Sequence, residues 1–143
     1  LFFYGDTGVG KTFLSHCIAR ELIEQSFCVI YFTAFDLFDL FARYTFSSSE
    51  EAKDAHANIF DCDLLIIDDL GTELTNSFVS SQLFLCINER ILRKKSTIIS
   101  TNLNTDDIAK RYTPQIASRL RGSFKRVPFI GEDIRLMKNG GLV

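Results

Sequence analysis

The stretch GDTGVGKT, residues 5–12, decides the reading of this chain. Gly5, Gly10, Lys11 and Thr12 meet every fixed position of G-x-x-x-x-G-K-[ST], with Asp6, Thr7, Gly8 and Val9 between them. The apolar run LFFY (1–4) precedes it, and a helix-period segment at 11–26 follows, with Leu14, Cys17, Ile18 and Leu22 on one face. Strand, glycine-rich turn and helix in that order curl backbone N–H groups around a phosphate at a helix end that carries partial positive charge. Lys11 then reaches the β- and γ-phosphates and Thr12 offers a hydroxyl to Mg²⁺; residues 5–13, from Gly5 through Phe13, are the expected nucleotide contact.

Outward from this motif, apolar runs alternate with helix-period segments. CVIYFT (28–33), DLLIID (63–68), STIIST (96–101) and RVPFI (126–130) read as further strands. Helical patterning covers FDLFDLFARY (35–44), 50–60, 82–95, 105–111 and 114–121. Strands this apolar need cover on both faces, so the fold class is α/β, three-layered, on a parallel sheet. At 143 residues and 46% hydrophobic content, the chain reads as a single domain, 1–143, with a sizeable core. It opens on Leu1, already inside a strand, so a region upstream is expected. No run nears the roughly 20 apolar residues of a membrane span, and no leader pattern opens the chain; a cytoplasmic protein without a membrane partner is expected. Cys17, Cys28, Cys62 and Cys86 lack metal-site spacing and sit in or beside apolar stretches, which reads as reduced core cysteine.

A second signal is LLIIDDLG (64–71), four apolar residues running into two carboxylates at the C-terminal end of a strand, where parallel sheets collect ligands. Asp68 is placed for the Mg²⁺ shell and Asp69 to orient or deprotonate a water. Asn102 follows the strand STIIST directly, and an amide there is suited to a γ-phosphate and the attacking water. Ser118-Arg119-Leu120-Arg121-Gly122 closes a helix, where arginine also simply complements the dipole. Net charge is −2, unevenly spread: residues 1–72 carry 4 basic and 12 acidic groups, residues 73–143 carry 12 and 6. Clusters at Arg90/Arg93/Lys94/Lys95, Lys110/Arg111 and Arg119/Arg121/Lys125/Arg126 read either as a polyanion surface or as separate solvated helix faces.

GDTGVGKT, LLIIDDLG, STN and SRLRG, in this order and spacing, resemble the AAA+ branch of P-loop ATPases over essentially the whole chain. Residues 68–103 and the tail GEDIRLMK (131–138) are similar to the ATPase domain of DnaC/DnaI-type replicative helicase loaders; the related IstB-type transposition ATPases share much of the pattern. The resemblance implies a five-stranded sheet of order 5-1-4-3-2. It also implies Lys11 and Thr12 as Walker A, Asp68 and Asp69 as Walker B, Asn102 as sensor 1, and Arg119 as an arginine finger acting on a neighbouring subunit. Arg121 competes for the last role, and Arg135 matches a sensor-2-like arginine. The implied cofactors are ATP or ADP with Mg²⁺. The implied partners are a DnaB-type helicase, single-stranded DNA and further copies of the chain, in oligomers or filaments. Three departures stand out. The second Walker B acid is Asp69 where many AAA+ proteins have glutamate, no helical lid is expected after residue 131, and the N-terminal partner-binding region of loaders is not expected within residues 1–143. The rival expectations are a transposition helper and a nucleotide-dependent interaction module that does not hydrolyse ATP.

Overall fold

The computed structural model describes residues 1–47 and 49–139. Its sheet has five strands, β1 (Phe2–Gly5), β2 (Val29–Thr33), β3 (Leu64–Leu70), β4 (Ser96–Thr101) and β5 (Arg126–Phe129). All pairings are parallel and the order is β2-β3-β4-β1-β5, the expected 5-1-4-3-2 seen from the other edge. The strand that leads to Asn102 therefore lies between the one that leads into the glycine-rich loop and the one that carries Asp68.

The helices of the described residues are α1 (Lys11–Glu24), α2 (Ala34–Phe46), α3 (Glu50–Asp61), α4 (Ser77–Leu92), α5 (Thr105–Arg111), α6 (Pro114–Ser123) and α7 (Ile134–Asn139). Strand alternation divides the core. Phe3, Leu64, Ile66 and Ile98 face one side, which α1 covers with Ile18, Ala19 and Leu22. Phe2, Leu65, Ile67 and Ile99 face the other, under Leu37, Ile59, Leu83, Ile108 and Leu120 from α2 to α6. Among the described residues no helix is long and apolar enough to cross a membrane.

Several expectations shift. The buried residues of α1 are Lys11 and Ser15, while Leu14 is 38% exposed and Cys17 is exposed, so the helix is rotated from the face its apolar spacing indicates. Ser15 is fully buried, and Ile18, Ala19 and Leu22 pack on Phe3, Leu64, Ile66 and Ile98. Cys28 is exposed as well, so only Cys62 and Cys86 are core cysteines, and burial pushes the Cys86 thiol up to about 12. α4 starts at Ser77 and not at 82, because the Asn76 side chain accepts the Val79 N–H and caps its first turn. The basic run at 90–95 is free surface only in part: Lys94 is exposed without an ion pair among the described residues, whereas Arg90, Arg93 and Lys95 are engaged. Arg90 is fully buried and donates to Thr97 Oγ1 at 2.9 Å, to the Ser96 carbonyl at 2.5 Å and to the Ile59 carbonyl. Arg93 pairs with Glu89 and Asp61 at 2.7 and 2.8 Å. Beyond residue 131, the cover among the described residues is the short helix α7.

Candidate functional site

β1 ends at Gly5, and the chain turns through residues 6–10 into α1. Gly8 (φ 80°) takes left-handed backbone that a β-carbon opposes, and a side chain there would also strike the Asp133 carboxylate. Helices α2 to α6 each satisfy first-turn N–H groups with a side-chain oxygen, from Thr33, Ser49, Asn76, Asn104 and Thr113. α1 starts at Gly10 (φ 97°) with no side-chain cap and no acid in its first turn. Neither its cap residue nor its first turn supplies an anion to its positive end, and the Asp133 carboxylate that lies against Gly8 is paired with Arg135.

Lys11 is 6% exposed, and its Nζ donates to the carbonyls of Gly5 and Asp6, both at 2.7 Å, and to Asn102 Oδ1 at 2.9 Å. Desolvation lowers its pKa, while Asp69, Asp6 and Asp68 act the other way. All three ammonium donors are used, so a phosphate oxygen reaches Lys11 by exchange with one of these acceptors. Asn102, just past β4, turns its Nδ2 to Thr7 Oγ1 at 3.0 Å and so links the loop to the lysine.

Thr12 Oγ1 donates to Asp68 Oδ2 at 2.9 Å. Asp68 is 1% exposed and receives two further hydroxyls, Tyr31 on Oδ2 at 2.5 Å and Ser100 on Oδ1. A threonine hydroxyl beside a carboxylate is a hard-oxygen donor set of the kind Mg²⁺ takes, so the residues fit the ion. Beyond Ile67 the pairing of β3 with β4 shifts register, and Asp69 adopts φ 55°. This left-handed step turns Asp69 to the exposed side between the buried Asp68 and Leu70. Partial desolvation, then the charge of Asp68, raises the Asp69 pKa.

Thr7, Lys11, Thr12, Asp69 and Asn102 line, among others, one cleft of about 660 Å³, while the buried Asp68 is hydrogen-bonded to Thr12 without lining it. Phe13 lines it too and is 74% exposed, whereas Gly5, Asp6 and Val9 belong to the loop without lining the cleft. Ile134 and Arg135 of α7 complete it: the Ile134 N–H donates to the Gly8 carbonyl at 3.0 Å, and Arg135 pairs with Asp133 at 3.1 Å. Arg119 does not line the cleft. It is exposed on α6 and, among the described residues, makes no ion pair or side-chain hydrogen bond, whereas Arg121 is tied to Thr105 and Asp106.

Three residues at or near the site escaped the sequence reading. Tyr31 and Ser100 are polar-tipped positions inside apolar strands, which was their only signal. Glu73, 5% exposed, accepts the Gly71 N–H at 2.9 Å and the Tyr112 hydroxyl, and so fastens the loop after β3 to the end of α5.

The fold and this cleft define a P-loop nucleotide-binding domain of the AAA+ type. A family model described as IstB-like ATP binding protein matches residues 1–121, and the chain belongs to that family. Among curated proteins it is 32% identical over 125 residues to the chromosomal replication initiator protein DnaA of Zymomonas mobilis, a match over 84% of this chain and 25% of that protein. It is 26% identical over 120 residues to the replicative helicase loader DnaC of Escherichia coli K12, a match over 83% of this chain and 49% of that protein. The chain thus spans between a quarter and about half the length of these relatives. A crystal structure of the DnaC helicase loader shares the fold at TM-score 0.78 and 24% identity, over 91% of this chain and 77% of that one. A DnaA structure bound to AMPPCP and single-stranded DNA does so at TM-score 0.79 and 21% identity, over 100% and 46%.

Proposed function

We propose that this chain is the ATP-binding and Mg²⁺-dependent ATP-hydrolysing core of a replicative helicase loader. In this reading it assembles with copies of itself, contacts single-stranded DNA and helps deliver a DnaB-type helicase. The observation that carries the nucleotide part is the convergence of Lys11, Thr12, Asp68, Asp69 and Asn102 on the C-terminal ends of three adjacent strands, beside a helix start with no cap of its own. The similarity to DnaC supports the loader part.

In this reading the phosphates of ATP or ADP lie against the first turn of α1 and draw Lys11 from a backbone carbonyl. Thr12 and Asp68 hold Mg²⁺, which when bound neutralises phosphate charge and orients the leaving group. Asp69 accepts a proton from the attacking water, and Asn102 fixes water and γ-phosphate together. Arg119 lies outside the cleft of its own chain, which suits a finger that enters the cleft of a neighbour. Lys94, Arg119, Lys125 and Arg126 are exposed without an ion pair among the described residues, and they are the cations suited to DNA phosphates.

Asp69→Asn tests the chemistry: ATP stays bound while phosphate release from the assembled protein falls on the order of 10²–10⁴-fold. Loss of binding would reverse the roles of Asp68 and Asp69. The family model favours a second reading, an IstB-like transposition helper. Co-purification with a DnaB-type helicase supports the loader, and co-purification with a transposase supports the helper. ATP binding without phosphate release in any assembly would leave a non-hydrolysing interaction module.

A further inference from the structure

Asp68 is held by hydroxyls from three different elements, and one of them comes from outside the nucleotide motifs. Tyr31 lies on the edge strand β2, in register with Ile66. Asp68 is two residues further along β3 on the same face, about 6.6 Å on. A phenol spans that distance; a serine or threonine at position 31 would not. The ring is set from the other side by His16 of α1, whose centroid lies 4.8 Å away at a 49° tilt. The first helix after the loop thus places the ring, and the ring delivers its hydroxyl to Asp68 Oδ2 at 2.5 Å.

Oδ2 is also the oxygen that accepts from Thr12, while Ser100 bonds Oδ1. Two donors on one oxygen and a third on the other leave the carboxylate a single orientation. We propose that Tyr31 is a positioning residue for the Mg²⁺ of the bound nucleotide, its hydroxyl holding Asp68 so that Oδ2 stays turned to the Thr12 hydroxyl. The proposal rests on the nucleotide reading above. Tyr31 does not ligate the ion or touch the phosphates; it acts through Asp68. Partners of this kind that orient a ligand typically contribute 10–100-fold to metal affinity.

Tyr31→Phe keeps the ring against His16 and removes only the hydroxyl. The test follows a fluorescent ADP analogue, MANT-ADP, titrated into wild type and variant across a Mg²⁺ series and in EDTA, with melting temperature recorded alongside. The expected result is unchanged affinity in EDTA, an unchanged melting temperature and a Mg²⁺ half-saturation raised about tenfold. Tyr31→Ile removes ring and hydroxyl together, and should show the same Mg²⁺ shift with a lower melting temperature. An unchanged Mg²⁺ half-saturation in Tyr31→Phe overturns the proposal. An equal loss of affinity in EDTA and in Mg²⁺ overturns it too, since Tyr31 would then serve the fold of the cleft as a whole. Wild type that binds no MANT-ADP at any Mg²⁺ concentration is a different failure, because it removes the nucleotide reading itself.

Discussion

At the start of α5, Asn104 accepts the N–H groups of Asp106 and Asp107 at 2.9 and 3.0 Å, and both carboxylates sit in the first turn. At the start of α1, Gly10 has no side chain to offer, and the first turn holds Lys11 and no acid. The backbone chemistry of the two helix ends is identical, yet one is capped by a side chain of its own and the other is not. A cap contributes about 1 kcal/mol and an anion at the dipole about 0.3–1 kcal/mol, up to about 2 when partly buried. α1 forgoes both, and in the proposed reading an incoming phosphate supplies them. On that reading the stabilisation of this helix start is transferred from folding to binding.

The largest expected effect concerns what the α1 end lacks. Within its own cleft it has Lys11, together with an Arg135 already paired to Asp133. A cation from a neighbouring copy is worth about 10³–10⁵ in rate. Arg119→Ala should abolish assembly-stimulated hydrolysis by that factor while monomer ATP affinity, measured by equilibrium binding, stays unchanged. Mixing it with Lys11→Ala should restore part of the activity, because the second variant still donates Arg119. No recovery in co-assembled protein would bring Arg121 or Arg135 forward.

Asn102→Ala comes next. It removes the amide that joins Lys11 to Thr7. Phosphate release in single-turnover assays should slow on the order of 10²-fold, with little change in ATP affinity. A variant that binds ATP far more weakly at unchanged rate would make Asn102 a binding group. Gly8→Val attacks the open end itself, since left-handed backbone costs a side chain about 1–2 kcal/mol before the collision with Asp133 is counted. Thermal melts should show that loss together with weakened nucleotide binding. The control is the closed end: Asn104→Ala should lower stability by about 1 kcal/mol and leave nucleotide affinity untouched. If Asn104→Ala weakened ATP binding as much as Gly8→Val, the two helix ends would not be functionally distinct.

The site was legible where it is contiguous. Residues 5–12 are one strand-to-helix turn, and Asp68-Asp69 and Asn102 end strands whose apolar runs are plain in the sequence. What escaped depends on partners far along the chain. Tyr31 meets a carboxylate 37 residues on, and Glu73 meets Tyr112 39 residues on. Arg90 sits in a run that reads as solvated charge, yet it is buried against carbonyls at the end of α3 and the start of β4, acceptors no local pattern reveals. Leu14 and Cys17 continue an apolar stripe in the sequence, yet the inward face of α1 carries Ser15 and Ala19 beside Ile18 and Leu22, and small residues of this kind give no apolar period to read. α7 is too short and mixed in character to show a period, and its place beside Gly8 comes from a backbone hydrogen bond that no side chain encodes.

Isothermal titration of Mg²⁺-ATP into wild type and Lys11→Ala decides whether the uncapped start of α1 with Lys11 is a nucleotide phosphate site. Wild type should bind one ATP per chain. Lys11→Ala should lose about 1.5–3 kcal/mol, the worth of a charge-assisted hydrogen bond, which weakens binding roughly 10- to 150-fold. Equal affinities for the two proteins would rule the phosphate site out.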